Sequence, residues 1–377
     1  MKYLSLLFCS LLLLSSCTKE QLFPMASGRP YEVLVVLDKA TWNAPAGRAL
    51  FDILDTDVPC LPQSERSFHI TQIEPKDLNA NFSIFRNIIQ VNIDKTQYSR
   101  TGMRFMRNKF AMDQIVLTIN SPSQDDLRQF CIDHKQEVID FLTRSEMNRL
   151  IKELEKKHSK VTCDLAWQIF ACSFYAPKEL TSYKKGEYFF WTSNNTASGL
   201  ENICMYSYPY EGPETFTKEY MTNKRDSVMK VNLPGEKPGM YMKTDTLCTM
   251  IKPIVVHKRY AMEMRGLWYM EHDCMGGPFV SHSRIDTETN RVVVVEGFVY
   301  APEKMKRGLI RRLEGSLYTL QLPEEQYSLI DTGLEEEKAQ TPDKSTQKGK
   351  TKKETSHVAQ LSTPNSLIVH VLAIAHT

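Results

Sequence analysis

The sequence lacks the short patterns that name a reaction. No GxSxG, HExxH, P-loop or GxGxxG occurs in its 377 residues, so a nucleophile elbow, a zinc-binding helix, a phosphate cradle and a dinucleotide turn all want for a candidate. No CxxC spacing occurs either, which removes the usual zinc ribbon and thioredoxin-like redox centre. Charge excess is small. The 47 Lys and Arg stand against 45 Asp and Glu, a net of +2, and such a balance gives no electrostatic footprint for nucleic acid. No cofactor or metal is called for. No apolar run reaches the roughly 20 residues that a membrane-spanning helix needs.

What is present begins at the N-terminus. Lys2 precedes an apolar stretch from Leu4 to Leu14, interrupted by Ser5, Cys9 and Ser10, in the order of a secretory signal. The block Leu14-Ser15-Ser16-Cys17 resembles the bacterial lipobox. That resemblance implies diacylglycerol on the Cys17 sulfur, cleavage before it and acylation of the new N-terminus. Residues 1–17 would be a lipoprotein signal peptide and 18–30 a tether. Several acyl chains, at about 0.8 kcal/mol per buried methylene, hold a protein to a membrane more firmly than one. The alternatives are an ordinary signal with an incidental cysteine, or a short membrane anchor. Thr18 is not the aspartate that retains lipoproteins in the inner membrane of well-studied Gram-negative systems, which favours the outer membrane. Thr18-Lys19-Glu20-Gln21 offers one acid beside one base, so the periplasmic side is preferred to the cell surface.

The body of the chain reads as α+β. Strand-like runs occupy 31–38 (YEVLVVLD), 67–75, 84–93 and 114–120. After Ser121-Pro122-Ser123 the spacing predicts one long helix to about Lys157, with Leu127, Phe130, Cys131, His134, Val138, Phe141 and Leu142 on a single stripe. The second half uses similar junctions. A strand-like run from Gln168 to Tyr175 meets Ala176-Pro177, and one from Arg291 to Tyr300 meets Ala301-Pro302 and a helix to about Leu320. Residues 186–284 are rich in aromatics and β-formers, interrupted by an amphipathic helix from Pro213 to about Val231. The expectation is two related strand-rich units, 31–160 and 161–330, with antiparallel or mixed sheets covered by helices. The repeated proline junctions have two explanations, an internal duplication or independent use of proline at the first helical turn. Residues 331–377 read as a disordered charged tail, with a short apolar end at Ser366–Ala375 that would dock as an edge strand or do nothing.

Candidate chemistry is sparse. Of nine cysteines, Cys9 and Cys17 belong to the signal, leaving Cys60, Cys131, Cys163, Cys172, Cys204, Cys248 and Cys274. That number is odd, so not every thiol can pair within one chain. EHDCMGGPFVSH, 271–282, gathers His272, Asp273, Cys274 and His282 around a glycine pair. A thiol beside an imidazole could be a nucleophile, or the set could hold a transition metal. The plainer reading is a turn at Met275–Pro278 with structural histidines. Arg307, Arg311 and Arg312 could form a basic patch, against the plainer reading of a solvated helix face. The aromatics of 188–210 could stack on sugars, against the plainer reading of sheet core.

With its lipobox at Cys17, the opening RPYEVLVVLD, the strand SFHITQIEP and the ending FVYAPEKMKRGLIRRLEGSLYTL, the chain resembles a Bacteroidota envelope lipoprotein family of unknown function, the domain-of-unknown-function family numbered 4837, over about residues 1 to 325. The resemblance implies an envelope location and an α+β fold, and carries no catalytic residues. The expected function is a lipid-anchored envelope protein that binds or scaffolds without catalysis. It would touch the membrane through Cys17, and its partner would be an envelope protein, peptidoglycan or a glycan. The alternative is an envelope hydrolase or thiol enzyme using His272, Cys274 and His282.

Overall fold

The apolar run after Tyr31 forms strand β1 (Glu32–Val36), buried over its last four residues. A strand apolar on both faces belongs inside a covered parallel sheet. β1 accordingly lies between parallel neighbours β2 (His69–Ile73) and β3 (Asn87–Ile93). β4 (Gly102–Arg107) is an antiparallel edge on β5 (Ile115–Ser121), and β5 runs parallel to β3, giving the order β2-β1-β3-β5-β4. The computed structural model describes residues 23–196, 199–323 and 325–337; the expected signal with Cys17, and the part of the expected tail from 338 to 377 with its apolar end, lie outside the described residues.

A short helix α1 (Lys39–Asn43) leads into α2 (Pro45–Leu54), where proline at the first turn loses no hydrogen bond. α3 (Gln124–Asp133) starts at Ser123, whose hydroxyl accepts the Asp126 N–H at 3.1 Å. α4 (Lys135–Lys156) follows at once. The single long helix expected here is therefore two helices, broken at His134 (φ −108°, ψ 19°). The His134 ring stacks on Phe130 at 4.2 Å and its Nδ1 lies 2.6 Å from Glu137, contacts that hold the break. Leu50, Ile53, Leu127, Cys131, Phe141 and Leu142 from α2 to α4 pack on one face of the sheet against Val33, Val35, Ile89 and Leu117.

The second unit opens with α5 (Lys160–Phe170), which overturns the strand expected from Gln168 to Tyr175. Leu165, Ala166 and Phe170 have helical spacing and are buried, and Ser159 caps the start at 3.2 Å from the Thr162 nitrogen. Only Ser173 keeps a strand-like bridge, to Gln321. The seven-stranded sheet then comprises β6 (Ser182–Gly186), β7 (Phe189–Ser193), β8 (Leu200–Pro209), β9 (Met242–Val256), β10 (Arg259–Met270), β11 (Gly276–Asp286) and β12 (Arg291–Tyr300). Every neighbouring pair is antiparallel, in the order β6-β7-β8-β12-β11-β10-β9. α6 (Lys218–Asn232) covers one face through Met221 and Met229. α5 and α7 (Arg307–Leu317) cover the other.

The α+β expectation holds, with one mixed sheet and one antiparallel sheet. The two sheets share neither strand order nor direction, so the proline junctions do not mark a repeated topology: one follows β5, one follows a helix, and one follows β12. The units are also joined by more than a linker. Glu65, from the loop before β2, accepts the Lys306 and Arg307 N–H groups at 2.6 and 2.8 Å and so caps α7 from the other unit. α4 and α7 cross closely at Gly315, where a Cβ would stand 2.6 Å from Leu150 Cδ2. Residues 325–337 run back to the first unit: Asn148 exchanges two hydrogen bonds with Ile330, and Glu336 bridges beside Phe105 on β4. The expected tail from 331 is thus packed as far as 337. Among the described residues no helix is long and apolar enough to cross a membrane.

Candidate functional site

Between the units lies a cleft of about 980 Å³. One wall is α4, with Ile139, Thr143 and Met147. The other is Met250–Val256 of β9, the outer strand of the larger sheet. His257 and Lys258 continue that wall into a two-residue hairpin turn with φ of 49° and 62°. Residues 328–331 close one side.

The floor is charged and buried. Glu263 and Arg265 sit two apart on β10, and their side chains meet Arg311 and Glu314 of α7. Arg265 donates to Glu314 at 2.6 Å and to Glu263 at 3.0 Å, and Arg311 donates to Glu314 at 2.9 Å. Lys252 on the rim reaches Glu263 at 3.6 Å. Behind them His282 Nε2 lies 3.8 Å from Glu263 Oε2, beyond hydrogen-bond reach, with its ring edge-on to Tyr318 at 4.6 Å.

The charge states follow from these contacts. Burial by itself would raise the Glu263 carboxyl, but the Arg265 charge above all, with Lys252, outweighs it and holds Glu263 well below the ordinary carboxylate range. Glu314 is likewise lowered, burial being outweighed by Arg265 and Arg311. Burial lowers His282 despite the neighbouring Glu263. At neutral pH two ionised carboxylates are therefore locked to two guanidiniums, with a neutral imidazole behind. Such a set offers fixed donors and acceptors rather than a group poised to exchange a proton near pH 7. Three buried atoms of cleft-lining residues, Glu263 Oε2, Arg311 Nε and Thr143 Oγ1, have no protein hydrogen-bond partner.

His257 ties the closing segment down. Its Nδ1 lies 3.0 Å from the Ser328 carbonyl and 3.1 Å from the Ser328 nitrogen. Burial, then the Arg284 charge, push its pKa down to about 4.

The residues singled out from the sequence are not brought together. His272, Asp273 and Cys274 are exposed in the turn between β10 and β11, and His282 is buried six residues into β11. At about 3.3 Å per residue, Gly276 to His282 alone spans roughly 20 Å. Among the described residues no group of three or more His, Cys, Asp or Glu could hold a metal. Phe189, Phe190, Tyr206 and Tyr208 are sheet core, while Tyr188 and Tyr183 are exposed. The solvated arginine face of the last helix is corrected most sharply. Arg311 is 6% exposed and part of the floor, because α7 is covered by the sheet on one side and by α4 on the other. Arg307 donates to the Arg66 carbonyl at 2.6 Å, and Arg312 pairs with Glu179. The missed floor had one legible signal: Glu263 and Arg265 interrupt YAMEMRGLWY, an otherwise apolar strand.

Residues 160–319 match the model of a domain of unknown function (DUF4837), and residues 26–155 match a second domain of unknown function (DUF8532). The family resemblance expected over about residues 1 to 325 is thus carried by the second unit, and a separate model takes the first. The two matches meet between α4 and α5, where the architecture changes. No curated protein matches the chain. A crystal structure from Bacteroides thetaiotaomicron VPI-5482 at 1.50 Å is 13% identical, over 43% of this chain and 47% of its own, with a TM-score of 0.20. The match spans less than half of that solved chain, and a likeness so low carries no argument about fold or function.

Proposed function

We propose that the protein is a lipid-anchored cell-envelope binding protein. Acyl chains on Cys17 hold it at the outer membrane, facing the periplasm, and its cleft takes an extended segment of another envelope polypeptide. The observation that carries the binding reading is the edge strand in the cleft: β9 pairs with β10 on one side and, among the described residues, has no strand on the other, and Met250–Val256 lines the cavity. An edge strand presents backbone donors and acceptors that template a further strand. Here the edge faces a helix wall bearing Ile139 and Met147 above a floor of paired charges. An extended chain with alternating apolar and polar side chains suits that shape. The commitment of Glu263 and Glu314 to Arg265 and Arg311 supports binding over proton transfer. The order of Lys2, the apolar stretch and Leu14-Ser15-Ser16-Cys17 supports the anchor.

Photo-cross-linking in living cells tests the cleft, with a photoreactive residue at position 254 and a control at exposed Tyr188. Position 254 should trap a polypeptide along an extended segment, and Met250→Lys should weaken the capture. A glycan adduct at 254, or equal capture from 188, would overturn the peptide reading. Cys17→Ala should leave uncleaved precursor; a mature-sized band still in the membrane fraction would refute the anchor.

A further inference from the structure

Two thiols from different units meet at one end of the cleft. Cys60 lies in the loop between α2 and β2 with φ of 57°, a left-handed conformation that a residue other than glycine keeps only when its surroundings hold it there. Cys248 lies on β9 where the ladder to β10 slips. Met250 pairs with Arg265 but Asp245 pairs with Leu267, so residues 246–249 bulge out, and Leu247 is 95% exposed. Cys60 Sγ stands 2.8 Å from the Cys248 carbonyl oxygen and 3.8 Å from that of Arg265, so the thiol lies against the Cys248 backbone. Both thiols are free and half-buried. The buried Cys131, Cys172 and Cys204 belong to the apolar cores instead.

We propose that Cys60 and Cys248 are a disulfide-forming pair that ties the two units together beside the cleft. Pro59 and Met250, one and two residues away, line the cavity, so the bond would fix that end of it. The oxidant is a disulfide of the glutathione or oxidoreductase class. One thiol loses its proton and attacks the donor disulfide, releasing one reduced thiol and forming a mixed disulfide. The second thiol loses its proton and attacks the protein sulfur of that intermediate, so the Sγ–Sγ bond forms and a second reduced thiol leaves. Two electrons pass to the donor and two S–H bonds are lost. Burial, then the neighbouring Cys248, push the Cys60 thiol up to about 12, so closure should quicken as pH rises because the thiolate is the attacking form. The step needs only a disulfide donor. An oxidising envelope would supply one, a link that rests on the location proposed above.

The test treats the reduced full chain with oxidised glutathione, followed by alkylation and mass spectrometry. The expected result is a peptide linking Cys60 to Cys248, faster mobility on a non-reducing gel and a melting midpoint raised by several degrees. Cys248→Ser should lose the linked peptide and the rise in melting. Full alkylation of both thiols, or separate glutathione adducts on them while exposed Cys274 takes up glutathione normally, would overturn the pairing. Neither Cys17 nor a bound peptide enters the measurement, so its failure leaves the binding reading untouched.

Discussion

The two sheets solve the same packing problem with different chemistry. In the first unit, the core residues of β1, β3 and β5 that meet α2, α3 and α4 are aliphatic, and buried charge on this sheet is confined, among the described residues, to the start of β3, where Asn87 meets Glu146 and Arg149 of α4. In the second, each face of an antiparallel sheet carries buried charge. Under α6, Arg225 makes a two-nitrogen contact with Glu296 at 2.7 to 3.1 Å, donates to Thr244 at 2.9 Å and lies 4.0 Å over Phe279. Under α7, Arg265 and Arg311 share Glu314. The first network is sealed and the second opens onto the cleft. The sealed pair makes register specific, since a strand displaced by one residue would strand a charge in the core. The open set is the one in which Glu263 Oε2 and Arg311 Nε have no protein hydrogen-bond partner.

The largest test of this contrast is Arg225→Ala. It leaves Glu296, fully buried, without its counter-charge, and the expected loss is about 3–5 kcal/mol in denaturant unfolding. An apolar pair at both positions should recover most of that. If the single and double variants unfold alike, the pairing is not what the second sheet depends on. Next is Glu314→Gln, which weakens two guanidinium contacts at once. A loss of about 2–3 kcal/mol is expected, smaller because the cleft admits water to the freed groups. A loss equal to that of Arg225→Ala would mean the floor is sealed too.

Glu65→Ala removes the cap that one unit places on the other's helix, and about 1–2 kcal/mol should be lost. An unchanged midpoint would show that α7 is held by packing alone.

Acid should then act on the second unit through its titrating groups. His257 has its folded pKa lowered to about 4 from 6.5, so the unfolded chain binds a proton that the native state excludes. Its contribution is complete above pH 6.5 and falls as pH drops from 6.5 to about 4. Glu263 and Glu314, also lowered, lose theirs only below the ordinary carboxylate range. Melting against pH should therefore decline in that upper window, and His257→Asn should flatten the decline. The smallest effect belongs to truncation after Glu337, expected to leave melting nearly unchanged, whereas truncation before Glu325 removes the Arg284 partner and should lower it.

Much of the layout was legible. The apolar run at 32–36 announces a covered strand and Ser123 with the stripe through Leu127 and Phe141 announces a helix, while the helix expected from Pro213 to about Val231 starts only at Lys218, after a separate turn at Pro213–Phe216, and ends at Asn232. The break at His134 was not legible, since the stripe continues through it. A strand is expected from Gln168 because Ile169, Phe170, Phe174 and Tyr175 favour strands locally, while the tertiary core selects the helix face bearing Leu165, Ala166 and Phe170.

From the sequence alone came the balance of charge, the positions of most elements and the face each turns inward, because side-chain period is a local property of the chain. The tertiary structure alone decided strand direction, the burial of Arg311, the meeting of Cys60 with Cys248, and the cleft itself. Each of these depends on residues far apart in sequence that are brought together by packing, and an apolar stripe records that a face is covered without recording what covers it.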